Sequence, residues 1–204
     1  MDTNNASQVY LINQQANAVE LVSASTSGAL GNSHSGICNS DANGYYRQCS
    51  SVSPDGQYVA FTSNATDLIP STTNGQWQIY VRDTQSNTTE LIAVASNGST
   101  GNSASPAASI SGDGRYVVFE SKATNLDAID DDPQADIFVH DRETNTTVLV
   151  SRAYDGGAAN GVSGAPNISA DGSFIVFESG SSNLLVNSTP TSDNHIYRVA
   201  NPLK

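Results

Sequence analysis

Three times along the chain a run of alternating residues follows an Asp-Gly pair: Tyr58-Val59-Ala60-Phe61, Tyr116-Val117-Val118-Phe119 and Phe174-Ile175-Val176-Phe177. Their β-branched and aromatic content, with a period of two, predicts strands. Just before each lies one apolar residue among small polar ones, Val52, Ile110 or Ile168. The intervening Pro-Asp-Gly, Gly-Asp-Gly and Ala-Asp-Gly are turn chemistry, so each unit opens with a hairpin. A polar connection then brings back one leucine in register, Leu68, Leu126 and Leu184, which reads as a core plug. A third strand follows at 78–83, 136–141 and 195–199, and a fourth at Glu90–Val94 and Val148–Ser151, after turns carrying Asn-Thr-Thr. No segment carries a helical period.

The period is regular. Asp55, Asp113 and Asp171 stand 58 residues apart, and the third strands keep that spacing to within one residue. Val9–Ile12 and Glu20–Ser23 match the third and fourth strands at a spacing of 70, so 12 extra residues fall between Ser33 and Ser51. The units therefore run over 8–23 (a half unit), 50–94, 108–152 and 166–204, in one domain spanning 1–204. Four short strands per unit of about 58 residues, with turns throughout, predict an all-β fold, a β-propeller built from four-stranded blades.

The repeated string Ser-x-Asp-Gly-x-Tyr-Val-x-Phe-x-Ser, then Asn-Leu, then Asp-Ile-Phe-Val-x-Asp, resembles the TolB-like β-propeller repeat of bacterial envelope and secreted proteins. The resemblance runs from about Val9 to Val199. It implies a propeller in the periplasm or outside the cell, and it includes relatives that join similar blades to a hydrolase domain. About three blades are present, fewer than the four to eight that usually surround a propeller axis. Two expectations follow: the chain is a segment of a longer propeller, or two copies associate head to tail as a dimer that completes a ring.

Charge narrows the partners. Eight lysines and arginines stand against 20 aspartates and glutamates, a net charge of −12, which repels phosphate backbones and anionic membranes. No nucleic acid and no membrane insertion are expected, since no stretch reaches the roughly 20 apolar residues of a span. The start, Met-Asp-Thr-Asn-Asn, lacks the basic and apolar regions of a signal peptide. The only two cysteines, Cys38 and Cys49, have neither metal-site nor redox-motif spacing. A small disulfide loop is expected, contributing roughly 3 kcal/mol and placing the chain in an oxidising compartment.

No nucleophile elbow, zinc-protease helix motif or phosphate-binding glycine loop occurs, so no catalytic residues are assigned. His34, His140 and His195 fall at different repeat positions. The Asp-Gly turns differ from the sialidase Asp-box, which keeps a residue between aspartate and glycine, and Asp55, Asp113 and Asp171 read as aspartates bonding their own turns. The acidic loop with Asp127, Asp130, Asp132 and Asp136 is the candidate metal site, for calcium, which prefers clustered carboxylates in flexible loops. No other cofactor is expected. Trp77 and the group Tyr45, Tyr46 and Arg47 inside the cysteine loop are candidate recognition residues, because aromatics and arginine anchor interfaces and stack on sugars. The Asn-x-Ser/Thr sequons starting at Asn64, Asn87, Asn97, Asn145, Asn167 and Asn187 read as turn chemistry. These features point to a non-catalytic module that presents its loops to a protein partner. A carbohydrate-binding propeller is the first alternative, although Trp77 has Ala135 at the matching place. The propeller portion of a larger hydrolase is the second.

Overall fold

The structure is a computed structural model that describes residues 5–37, 49–70, 73–130, 132–186 and 194–204. Thirteen strands are described in four antiparallel sheets. Strands β1 (Tyr10–Asn13) and β2 (Ala18–Leu21) form a two-stranded sheet. Strands β3 (Ser50–Val52), β4 (Tyr58–Ser63), β5 (Gln78–Asp83) and β6 (Thr88–Leu91) pair in chain order. The next sheet repeats this with β7 (Ala107–Ile110), β8 (Tyr116–Ser121), β9 (Asp136–Asp141) and β10 (Thr146–Leu149). The last holds β11 (Ser163–Ile168), β12 (Phe174–Ser179) and β13 (His195–Ala200).

Register repeats with sequence. Phe61 pairs with Tyr80, Phe119 with Phe138 and Phe177 with Tyr197, and the rings stack at 5.8, 5.7 and 5.7 Å between centroids. Cross-strand aromatic pairs of this kind hold neighbouring strands in one register.

Each sheet then packs face to face on the next. Val9, Leu11 and Val22 cover Val59, Phe61, Leu68 and Tyr80 of the second sheet. The opposite face of that sheet, with Ala60, Ile79 and Val81, covers Ile110, Val117, Phe119 and Phe138. Tyr116, Val118, Ile137 and Val139 in turn cover Ile168, Ile175 and Phe177. Strands buried on both faces read as nearly continuous apolar runs, and β8 and β9 are buried along their whole length. The returning leucines do act as plugs: Leu68 and Leu126 are fully buried, and Leu184 packs at the edge of the third cluster.

One departure from the sequence reading stands out. The fourth strands are Thr88–Leu91 and Thr146–Leu149, not Glu90–Val94 and Val148–Ser151. After Ile92, whose N–H still donates to Ile79 O at 2.8 Å, the chain leaves the ladder: the Val94 N–H donates to Ile92 O at 2.7 Å, and Arg152 repeats this on Val150 O at 2.8 Å. Ile92 and Val150 stay apolar because they are buried between sheets, so the hydrophobic run outlasts the strand. The two terminal sheets hold two and three described strands, in line with the third–fourth and first-to-third strands read from the repeat, while each complete blade holds four.

Candidate functional site

The Ser-x-Asp-Gly turn builds one end of every blade. Ser53 Oγ donates to Asp55 Oδ1 at 2.5 Å, the same oxygen accepts the Gln57 N–H at 3.0 Å, and the Tyr58 N–H donates to Ser53 Oγ at 2.9 Å. Ser111 with Asp113 and Ser169 with Asp171 reproduce the arrangement. The Ser53 hydroxyl and the Gln57 N–H hold Asp55 below the usual carboxylate range, and the Ser169 hydroxyl and Ser173 N–H bring Asp171 down to about 2. Carboxylates held ionised this way are turn residues, as their sequence position suggested, and are poorly suited to proton transfer.

The glycine that follows takes a positive φ, +76° at Gly56, +73° at Gly114 and +72° at Gly172. At Gly114 and Gly172 its bare Cα receives an aromatic ring from the preceding blade. A Cβ at Gly114 would stand 2.1 Å from Tyr58 Cδ2, and one at Gly172 would stand 2.8 Å from Tyr116 Cδ2. Arg142 closes the first junction: its guanidinium lies 4.6 Å over the Tyr58 ring and bonds Glu90 and Gly114 O.

Among the described residues no such ring covers Gly56, and Leu11 Cδ2, 3.9 Å from a Cβ built there, is the one atom within 4 Å of it. A groove of about 620 Å³ opens at this place, lined by Leu11, Ile12, Glu20, Val52, Gly56 and Thr84 among others. Thr84 occupies the repeat position of Arg142, and Glu20 that of Glu90. Among the described residues the groove thus keeps the apolar wall and the acid of a blade junction, without the aromatic and the guanidinium. Val52 and Ile12 are 49% and 64% exposed, high for apolar side chains lining a concavity.

At the opposite end of the blades, Asp130, Asp132 and Asp136 each bring a carboxylate oxygen within 4.8 Å of the others. Asp136 is fully buried at the start of β9, and Asp130 is 2% exposed. Ser151 Oγ donates to Asp136 Oδ1 at 2.6 Å. Burial, with the nearby charges of Asp130 and Asp132, pushes Asp136 up to about 7 despite that bond. Asp127 stands apart from the expected ligand set: Oδ1 accepts the Ile129 N–H at 3.0 Å and Oδ2 the Leu149 N–H at 2.9 Å. It fastens the loop to β10.

Of the other residues singled out in the sequence, Trp77 is half-buried in the loop before β5, where its carbonyl accepts the Ser105 N–H at 2.7 Å. His34 accepts the Ser7 N–H at Nδ1, His140 is buried against Thr147 Oγ1, and His195 begins β13, so the three are not brought together. Cys49 is buried just before β3, whereas Cys38, Tyr45, Tyr46, Arg47 and Asp131 lie outside the described residues. The sequence reading missed the groove. It also missed a latch between blades in which Asn32, Asn102 and Asn160 each bond a hydroxyl of the following unit, Thr66, Thr124 and Ser182. The Gly-Asn pairs at 31–32 and 101–102 were its visible trace.

Radially ordered four-stranded antiparallel sheets stacked face to face define a β-propeller, and the fold is the TolB-like β-propeller fold. TolB from Acinetobacter baumannii is similar over 95% of this chain and 35% of its own, at 16% identity and a TM-score of 0.50. The tricorn protease is similar over 97% of this chain and 16% of its own, at 12% identity and a TM-score of 0.58. A structure from work on two prolyl endopeptidases is similar over 98% of this chain and 25% of its own, at 15% identity and a TM-score of 0.50. The chain thus spans about a third of TolB and less of the two peptidases. No family model matches the chain, and no curated protein matches it.

Proposed function

We propose that this protein is a non-catalytic propeller module of the bacterial envelope or secreted space, and that its groove at Gly56 takes a segment of a protein partner. The observation that carries this reading is the contrast between junctions. At Gly114 and Gly172 the same turn is covered by a tyrosine ring, while at Gly56 an apolar wall and Glu20 border a groove of about 620 Å³. By continuity with those junctions, the occupant is an extended segment presenting an aromatic side chain beside a basic one. The basic group would meet Glu20 as Arg142 meets Glu90, and a chain of net charge −12 favours a partner of opposite sign. The non-catalytic part of the reading is supported by the commitment of Asp55 and Asp171 to their own turns. The envelope location is supported by the fold shared with TolB and by the proposed Cys38–Cys49 bond.

The test uses paired baits in a bacterial periplasmic extract: the wild-type chain, and a Val52→Glu, Ile12→Glu variant whose exposed positions tolerate charge. The expected result is one polypeptide retained by the wild type and lost with the variant, while melting temperatures agree within about 2 °C. A polypeptide retained equally by both baits would place binding elsewhere and overturn the groove assignment.

A further inference from the structure

The acidic cluster carries an inference independent of the groove. In the second sheet the position matching Asp136 is Gln78, also fully buried. Its Nε2 donates to the carbonyls of Gly101 at 3.1 Å and Ser103 at 3.2 Å. An amide brings positive hydrogens to that spot. Asp136 in its ionised form brings none, since a carboxylate only accepts. Ser151 Oγ satisfies its Oδ1, while Oδ2 has no hydrogen-bond partner among the described residues. The charges that bear on Asp136 are those of Asp130 and Asp132, both of its own sign. A buried carboxylate in such surroundings calls for a cation.

The donor set narrows the cation. The three carboxylates converge within 4.8 Å, close enough to share one ion. Calcium takes six to eight oxygens in flexible geometry, whereas magnesium demands near-ideal octahedral geometry and keeps several waters. All the donors are hard oxygens, with no imidazole or thiolate among them, which disfavours zinc and copper. Asp130 and Asp136 are buried and Asp132 is half-buried, so the cluster is reached by water from the Asp132 side, where waters would complete a shell of six to eight. Asp132 is already held, its Oδ1 accepting the Gln134 N–H at 2.7 Å. We propose that Asp130, Asp132 and Asp136 bind one calcium ion, which takes the place that the Gln78 amide fills in the neighbouring blade and fixes the loop between β8 and β9.

The experiment is calorimetric titration of chelator-treated protein with calcium chloride, with melting followed in parallel and magnesium chloride as the control. The wild type is expected to bind one calcium per chain and to melt about 5–10 °C higher when calcium exceeds its dissociation constant 100-fold. Magnesium should give less than a tenth of the affinity. Asp136→Asn keeps the Ser151 bond and removes the charge, so it should stay folded and lose both heat and shift. Asp132→Asn, at the half-buried position, should weaken binding at least tenfold. A wild type that gives neither heat nor shift overturns the proposal, and so does an Asp136→Asn variant that responds as the wild type does.

Discussion

Replacing Gly114 by alanine puts a methyl group where the Tyr58 ring lies. Two costs add. The first is conformational: Gly114 sits at φ +73°, and an L side chain there costs about 1–2 kcal/mol. The second is steric, because the new Cβ would stand 2.1 Å from Cδ2, 2.5 Å from Cγ and 2.6 Å from Cε2 of Tyr58. Contact at Cγ means the whole ring must move, which also breaks its stacking under Arg142. Overpacking of this kind costs about 1–3 kcal/mol more. The equivalent turns separate the two terms. Gly56 has nearly the same φ, +76°, but Leu11 Cδ2 at 3.9 Å is its only near atom among the described residues, so Gly56→Ala should show the conformational cost alone. Gly172→Ala meets Tyr116 Cδ2 at 2.8 Å and should fall between them. Urea unfolding followed by circular dichroism, with one m-value shared by the three variants and the wild type, gives the differences. The expected losses are about 1–2 kcal/mol at Gly56 and about 2–5 kcal/mol at Gly114. Equal losses at Gly56 and Gly114 would refute ring-on-glycine packing as the blade junction.

Two further outcomes follow from buried groups and from the cysteines. Burial pushes the His140 imidazole down to about 4, with Asp141 opposing and Arg142 adding to that shift. The folded protein then binds this proton more weakly than the unfolded chain, so stability is present above about pH 6.5 and is lost as pH falls through 4, by about 3 kcal/mol. Urea midpoints at pH 7 and pH 4.5 should differ less in His140→Gln, which keeps a partner for Thr147, and an unchanged pH dependence would contradict the assignment. For the proposed Cys38–Cys49 bond, thiol titration of the denatured, unreduced protein should find no free thiol, and reduction should cost roughly 3 kcal/mol. Two thiols per chain would exclude the bond.

Most of the blade architecture was legible because the residues that form it repeat. Strands such as Tyr116–Ser121 alternate with turns whose chemistry is local, and the 58-residue spacing of Asp55, Asp113 and Asp171 marks the period. Less legible were features set by what lies across a junction. Ile92 and Val150 looked like strand residues because both are buried between sheets and each still donates its N–H to the neighbouring strand, to Ile79 O and Ile137 O, although the ladder ends there. The groove at Gly56 shares its Ser-x-Asp-Gly turn with its filled counterparts, and what sets it apart, no ring among the described residues and Thr84 in the place of Arg142, lies across the junction. The acidic loop was visible as a run of carboxylates, but its membership was not. Asp127 differs from Asp130 in which backbone N–H groups it meets, Ile129 and Leu149, and spacing does not reveal that.

Binding at the open junction is tested most directly by photocrosslinking. A photoreactive benzoyl-phenylalanine in place of Val52 stands in the groove, and the same residue in place of the 61% exposed Tyr154 stands outside it. In bacterial periplasmic extract, a partner seated at Gly56 gives a single adduct from position 52 and none from position 154. An adduct from position 154 alone, or none from either, would contradict the proposed function.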